Sequence, residues 1–433
     1  MRIKDTTGRP VRLSAAAGAE TSMALIEDLV AAIGEANVLT GPAAVEATFA
    51  PWTRVGTPLA LCRPGSTEEV AAVLRLAHAA GTPVVPLGGL TGLVEGVGAD
   101  DSIALSLRLM SEIEDIDVEG SVMRVQAGCV LETACAAADA AGLFLPLDLG
   151  SRGSATIGGV MSTNAGGNRV IRYGMTRDMV LGVEAVLADG TIVSSLNRLI
   201  KNNAGYDLKQ LFIGSEGTLG VITRAVLRLR PKAASQQTAW LGVETFEALP
   251  KVLRRIESGL AGALSAFEVM WPAYYDLVTT PPAVGRPVLE GRHAYYVLVE
   301  SLGSDPDADA DRFEALLGDL LSDGLVADAA IAKSQAERDR MWALRDDVRQ
   351  TGRNAPTVTF DISLPINRME SYVAGVEAAL KARWPAATLV VLGHLGDGNL
   401  HLIIGVGDAG ARHDIELICY EPLQAFGGSI SAE

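Results

Sequence analysis

Three glycine-rich loops, each bounded by strand-like segments, constrain this chain more than any other feature of its sequence. The first is Pro86-Leu87-Gly88-Gly89-Leu90-Thr91-Gly92-Leu93. The second runs from Asp148 to Gly167, and the third spans Lys201-Asn202-Asn203-Ala204-Gly205-Tyr206-Asp207 and then Gly214 to Ile222. Glycine tolerates positive φ and lets backbone N–H groups crowd onto an anion. One such loop is ordinary turn chemistry. Three in one region point to a large anionic cofactor, such as a dinucleotide with its pyrophosphate. No G-x-x-x-x-G-K-[ST] pattern occurs, which excludes a P-loop nucleotidase. The lone G-x-G-x-x-G, Gly405 to Gly410, lacks the following strand and acid about 20 residues on that a Rossmann unit needs, so it reads as a strand–helix connection.

At 433 residues the chain holds two or three domains. No apolar run approaches the ~18 residues of a membrane span, and Met1 to Glu20 has no apolar core of a secretory signal. A net charge of −16 argues against a nucleic-acid surface. Cys62, Cys129, Cys135 and Cys419 form no C-x-x-C pair and read as reduced thiols, so a cytoplasmic location is expected. A helical apolar period covers 21–48, and Ser66-Thr67-Glu68-Glu69 opens a helix over 66–80 with a capping residue and early acids. Glycine density falls after Pro231-Lys232-Ala233-Ala234-Ser235, a boundary beyond which strands and helices alternate. That second part predicts an antiparallel sheet with helices on one face, including a helix from Ser334 to Thr351.

The second part ends in Gly393-His394-Leu395-Gly396-Asp397-Gly398-Asn399-Leu400-His401, which holds two of the five histidines. Apolar runs on either side make it a hairpin closed by a Gly/Asp turn. Imidazoles so placed are either a pair of divalent-metal ligands or polar residues beside a surface turn; spacing alone leaves both open.

Taken together, these segments resemble the vanillyl-alcohol oxidase/p-cresol methylhydroxylase flavoproteins. The glycine loops are similar to their FAD-binding domain. Gly393–His401, with Gly427-Gly428-Ser429-Ile430-Ser431-Ala432-Glu433, looks like the C-terminal FAD-oxidase domain of the D-2-hydroxyacid dehydrogenase branch. The resemblance implies an α+β fold: an FAD-binding domain of two α/β subdomains over 1–231, a substrate (cap) domain with an antiparallel sheet covered by helices over 232–408, and a C-terminal segment over 409–433 returning toward the FAD domain. It implies that Gly88, Gly89, Leu90, Thr91, Gly92 and Leu93 wrap the FAD pyrophosphate. Pro86, Pro146, Leu149, Gly153, Ser154, Ile157, Gly158, Thr163, Asn164 and Gly166 would line the cofactor, with Gly217 and Ile222 near the adenine. The FAD loops contain no His or Cys, so non-covalent FAD is expected. Zn²⁺ or a similar divalent metal is implied at His394, His401 and Glu433, with Asn399 beside them. The family's base, a histidine directly after that glutamate, would fall one residue past Glu433, so a further tail is expected.

The implied reaction is oxidation of a D-2-hydroxy acid to the 2-oxo acid by hydride transfer to flavin N5. A hydroxyl taken crudely as water, pKa about 15.7, and a histidine near 6.5 differ by about 9 units, or roughly 12 kcal/mol. A lone base cannot bridge that gap; a metal that holds the substrate oxygen can. Arg345 is the expected partner of the substrate carboxylate. Hydroxyglutarate-type relatives carry Lys where this chain has Thr359 and Asn where it has Ile403, so a D-lactate-like monocarboxylate is favoured over D-2-hydroxyglutarate. The electron acceptor is expected to be an electron-transfer flavoprotein, a quinone or a cytochrome, and a homodimer is possible. The rival readings are a metal-independent flavin alcohol or sugar oxidase and a catalytically inactive flavoprotein subunit.

Overall fold

The computed structural model describes residues 15–50, 53–92 and 96–431, with side chains from Met23 onward. The chain divides into two compact units. The first comprises Met1–Leu145, Ser151–Ala165 and Met179–Arg230; the second comprises Pro146–Gly150, Gly166–Asp178 and Pro231–Glu433.

Among the described residues the first unit carries a four-stranded and a five-stranded sheet. One has the order Val38–Leu39, Ala60–Cys62, Ile103–Ser106, Val84–Leu87, its last three strands parallel. The helix Thr67–Ala80 starts where Ser66 accepts a hydrogen bond from the Glu69 N–H at 3.2 Å and stops at Gly81, φ +67°. It buries Val70, Val73, Leu74 and Ala77, the 3.6-residue stripe its sequence shows. The other sheet is antiparallel, with order Ile113–Asp117, Val122–Gln126, Val221–Arg228, Val180–Val186, Ile192–Ser195. The helical period expected over 21–48 is broken: a helix ends at Ile33, Gly34 takes φ +86°, a strand Val38–Leu39 follows, and a short helix covers Gly41–Ala47.

The second unit is built on an eight-stranded antiparallel sheet, in the order Asp328–Ile331, Ser235–Val243, Tyr295–Gly303, Leu264–Met270, Thr388–His394, Asn399–Gly405, Thr357–Ser363, Ser429–Ile430. Helices cover both faces, not one. Alternate residues such as Leu241, Phe267, Val299 and Leu402 pack on one side with the helices Ala248–Leu260, Pro306–Ser322 and Met369–Arg383. Trp240, Met270, Leu298, Leu392 and Ile403 point the other way and meet Tyr274, Tyr275 and Val278 of the helix Pro272–Thr279, and Met341 and Leu344 of Gln335–Asp346. The eight-residue Pro272–Thr279 is too short to show a period in sequence. The helix expected to reach Thr351 ends at Asp346 and continues as a 3₁₀ turn, Val348–Asn354.

Candidate active site

The site lies on the second of these faces. In the His394 hairpin, Gly393 has no room for a side chain, because a Cβ there would meet Asn399 O at 2.4 Å. Gly398 closes the turn at φ +85°. His394 stands opposite Asn399, and Leu392 opposite His401, so the two imidazoles are diagonal neighbours on one face. Their Nε2 atoms are 3.4 Å apart, with ring planes at 85°.

Each imidazole has a carboxylate behind it. Glu268, opposite His394 in the adjoining strand, accepts from His394 Nδ1 at 2.8 Å. Asp361, opposite His401, lies 3.6 Å from His401 Nδ1 and accepts from the Asn399 amide at 2.5 Å. Arg345 reaches the site from the helix Gln335–Asp346, which Ser334 caps at one end and the Tyr274 hydroxyl at the other by donating to Arg345 O at 2.6 Å. Its Nε donates to Glu268 Oε2 at 2.8 Å, Nη2 forms an ion pair with that oxygen at 2.8 Å and lies 3.4 Å from His394 Nε2, and Nη1 donates to Asp346 Oδ1 at 3.4 Å.

Burial shapes the charges here. It disfavours the Glu268 carboxylate, but His394 and Arg345 outweigh it and hold the group ionised, below the usual carboxyl range. Burial also works against a charged His394, yet Glu268 raises its pKa. At His401 burial wins over Asp361, with His394 and Arg345 adding to it, and the ring is pushed down to about 4. A neutral His401 is the form that can donate a lone pair to a metal.

Two nitrogens on one tetrahedral zinc, with bonds of about 2.0–2.1 Å, stand about 3.3–3.4 Å apart. The 3.4 Å spacing of the imidazoles fits that requirement, and carboxylates behind the rings are the usual outer support of metal-ligating histidines. Asn399 Oδ1 is buried and has no hydrogen-bond partner, an acceptor left facing the site. Among the described residues no group of three His, Cys, Asp or Glu side chains gathers around a common point. Glu433, the third expected ligand, lies outside the described residues. The structure thus assembles His394, His401, Asn399 and Arg345, and adds Glu268 and Asp361. Glu268 had one signal in the sequence, a lone acid within the apolar strand Leu264–Met270.

In the first unit the three glycine loops meet. A Cβ on Gly89 would sit 2.1 Å from Ser154 O, and one on Gly217, at φ +77°, 2.8 Å from the Pro86 ring. The third loop ties to the second through Gly214 N–H to Met161 O and Glu216 N–H to Ser162 O, at 3.0 and 2.9 Å. Among the described residues six non-glycine residues have positive φ, and three of them, Leu90, Asn164 and Glu216, fall one in each loop. Such strain persists only where the surroundings hold it, and it clusters at ligand sites. Gly158 is explained by packing, since its Cβ would meet that of Ala127 at 2.7 Å. Gly153, Ser154, Ile157, Thr163 and Ile222 also belong to this unit, whereas Pro146, Leu149 and Gly166 group with the second; Leu93 lies outside the described residues.

Two family descriptions match the chain: an FAD binding domain over residues 58–195 and the C-terminal domain of FAD linked oxidases over 232–433. Mitochondrial D-2-hydroxyglutarate dehydrogenase of Bos taurus is 40% identical over 429 residues, covering 98% of this chain and 77% of that protein. D-2-hydroxyglutarate dehydrogenase of Xanthomonas citri pv. viticola is 37% identical, covering 94% and 88%. The fold matches a crystal structure of p-cresol methylhydroxylase with a TM-score of 0.73 at 15% identity, over 95% of this chain and 89% of that one. With both halves matched in order and relatives of 37–40% identity covered over most of their length, the chain shares the fold of p-cresol methylhydroxylase and belongs to the FAD-linked D-2-hydroxyacid dehydrogenases.

Proposed function

We propose that this enzyme oxidises a D-2-hydroxy acid with a small uncharged side chain, D-lactate-like, and that it does so with a divalent cation at His394 and His401. The observation behind this reading is the convergence of Arg345 Nη2 and His401 Nε2 on His394 Nε2, each at 3.4 Å. A 2-hydroxy acid carries its hydroxyl and its carboxylate on adjacent carbons, so one small molecule can span the guanidinium and the imidazoles. Glu268 lies along the Nε–Nη2 edge of Arg345, and Nη1 makes a long 3.4 Å hydrogen bond to the half-exposed Asp346, which a substrate carboxylate would have to displace to reach the fork by which arginine binds one best.

FAD held by the glycine loops would supply the acceptor for a hydride. A divalent cation would supply Lewis acidity toward the substrate hydroxyl. Its ligands would be His394 and His401, with Glu433 the third that the family resemblance implies. The surrounding protein keeps His394 oriented through Glu268 and excludes bulk water by burying Arg345 and His394.

Strand register supports this side-chain preference. One step along the same face from the His401–Asp361 pair stands the Ile403–Thr359 pair, flanked by Val390 of the His394 strand. Neither residue of that pair carries a charge for a second carboxylate. Arg353 is spent on the carbonyls of Leu277 and Thr280, and the Arg349 side chain is 88% exposed. A second carboxylate would find no charged partner at this pair, so faster flavin reduction by the monocarboxylate is expected.

Anaerobic stopped-flow reduction of the flavin tests this. D-lactate should bleach it far faster than D-2-hydroxyglutarate, chelation should abolish bleaching, and Zn²⁺ should restore it. Full reduction by the dicarboxylate alone would overturn the substrate assignment, and bleaching indifferent to chelation would overturn the metal.

A further inference from the structure

We propose that Glu268 is a positioning residue that fixes the candidate metal ligand His394 and the candidate carboxylate-binding Arg345 at the same time, an inference that rests on the reading of the site above. Glu268 is 1% exposed in a strand that is otherwise Leu-Ser-Ala-Phe-Val-Met. Its two oxygens divide the work. Oε1 accepts from His394 Nδ1 and Oε2 accepts from Arg345 Nε, while Nη2 forms an ion pair with the same Oε2, all at 2.8 Å. A carboxylate offers acceptors only, so His394 must place its proton on Nδ1 and present its Nε2 lone pair toward His401. The same group aims the guanidinium so that Nη2 comes within 3.4 Å of that lone pair. A residue present only to neutralise a buried arginine would have no need of an oxygen on the imidazole.

The amide isostere separates these roles. In Glu268→Gln only one oxygen remains. Arg345 has donors and no acceptor, so that oxygen must face Arg345 and the amide NH₂ must face His394. His394 Nδ1 then has to accept, its proton moves to Nε2, and the lone pair meant for the metal is lost while Arg345 stays paired.

The experiment uses ¹⁵N-histidine-labelled FAD holoenzyme stripped of metal with a chelator, at about pH 9, above the ordinary imidazole range. Wild type and Glu268→Asp are expected to show His394 as the Nδ1–H tautomer, and Glu268→Gln as the Nε2–H tautomer. Competition titration with Zn²⁺ should give a 10–100-fold loss of affinity in Glu268→Gln and recovery to within about tenfold in Glu268→Asp. A wild-type His394 protonated on Nε2, or a Glu268→Gln protein that keeps Nδ1–H and wild-type Zn²⁺ affinity, overturns the proposal. Should Glu268→Gln fail to fold, the wild-type tautomer and the Glu268→Asp titration decide. Wild-type protein that binds no Zn²⁺ would remove the metal reading instead, and the tautomer would still judge Glu268.

Discussion

Gly89 shows how little slack the cofactor loops have, since even a methyl group there would overlap the Ser154 carbonyl. The obstacle is backbone, which cannot swing aside as a side chain can. Gly89→Ala is therefore expected to part the first two loops. If the strain of about 1–3 kcal/mol falls on the holo state, FAD affinity drops about 5- to 150-fold. Flavin retained after gel filtration, against wild type, measures this; full retention would show that the loops meet for another reason. At this scale the sequence was most readable where chemistry is local: His394, Asn399 and His401 share one hairpin. Glu268 was not readable. Its partners are 126 and 77 residues away in the chain, and no spacing rule links residues that meet only through sheet order.

Elements that were long and periodic, such as Thr67–Ala80 and Pro306–Ser322, could be read from their caps and apolar stripes. The helix Pro272–Thr279 could not, nor could the placement of Gly166–Asp178, whose short helix Val170–Tyr173 packs with the second unit. That segment is tied down by Arg169, which donates to the fully buried Glu300 at 2.6 Å, and by Arg172, which reaches the carbonyls of Ala263 and Leu302. Glu300 also accepts from Ser265, Gln236 and Trp342 at 2.9, 2.6 and 2.9 Å. Glu300→Ala strands four donors at once, although Asp148 stays 3.3 Å from Arg169. A loss of about 3 kcal/mol is expected, read as a lower urea midpoint of the transition that reports the second unit. An unchanged midpoint would show that water replaces the carboxylate at no cost.

Over the whole molecule, acid sensitivity should originate partly in the first unit, where Glu184 is buried among Thr67, Thr223 and Arg224. Burial opposes its charge, but the two hydroxyls and the guanidinium prevail and hold its pKa below the ordinary 4.5. A carboxyl depressed in the folded state adds stability that is complete above the unfolded value and vanishes as pH falls through the folded one. The difference in urea midpoint between wild type and Glu184→Gln should thus be constant near neutrality and shrink below about pH 4.5. A difference that persists at pH 2 would assign the cost to packing. The broad plan, glycine loops first and an antiparallel sheet after, was legible because each half repeats its signal many times; which faces of that sheet are covered depends on contacts that no local pattern encodes. One consequence follows from hanging both imidazoles on a single tight hairpin. Their separation is inherited from the pleat of two hydrogen-bonded strands, so the rung at 359 and 403 can be re-dressed for a different acid without retuning the nitrogen pair next door.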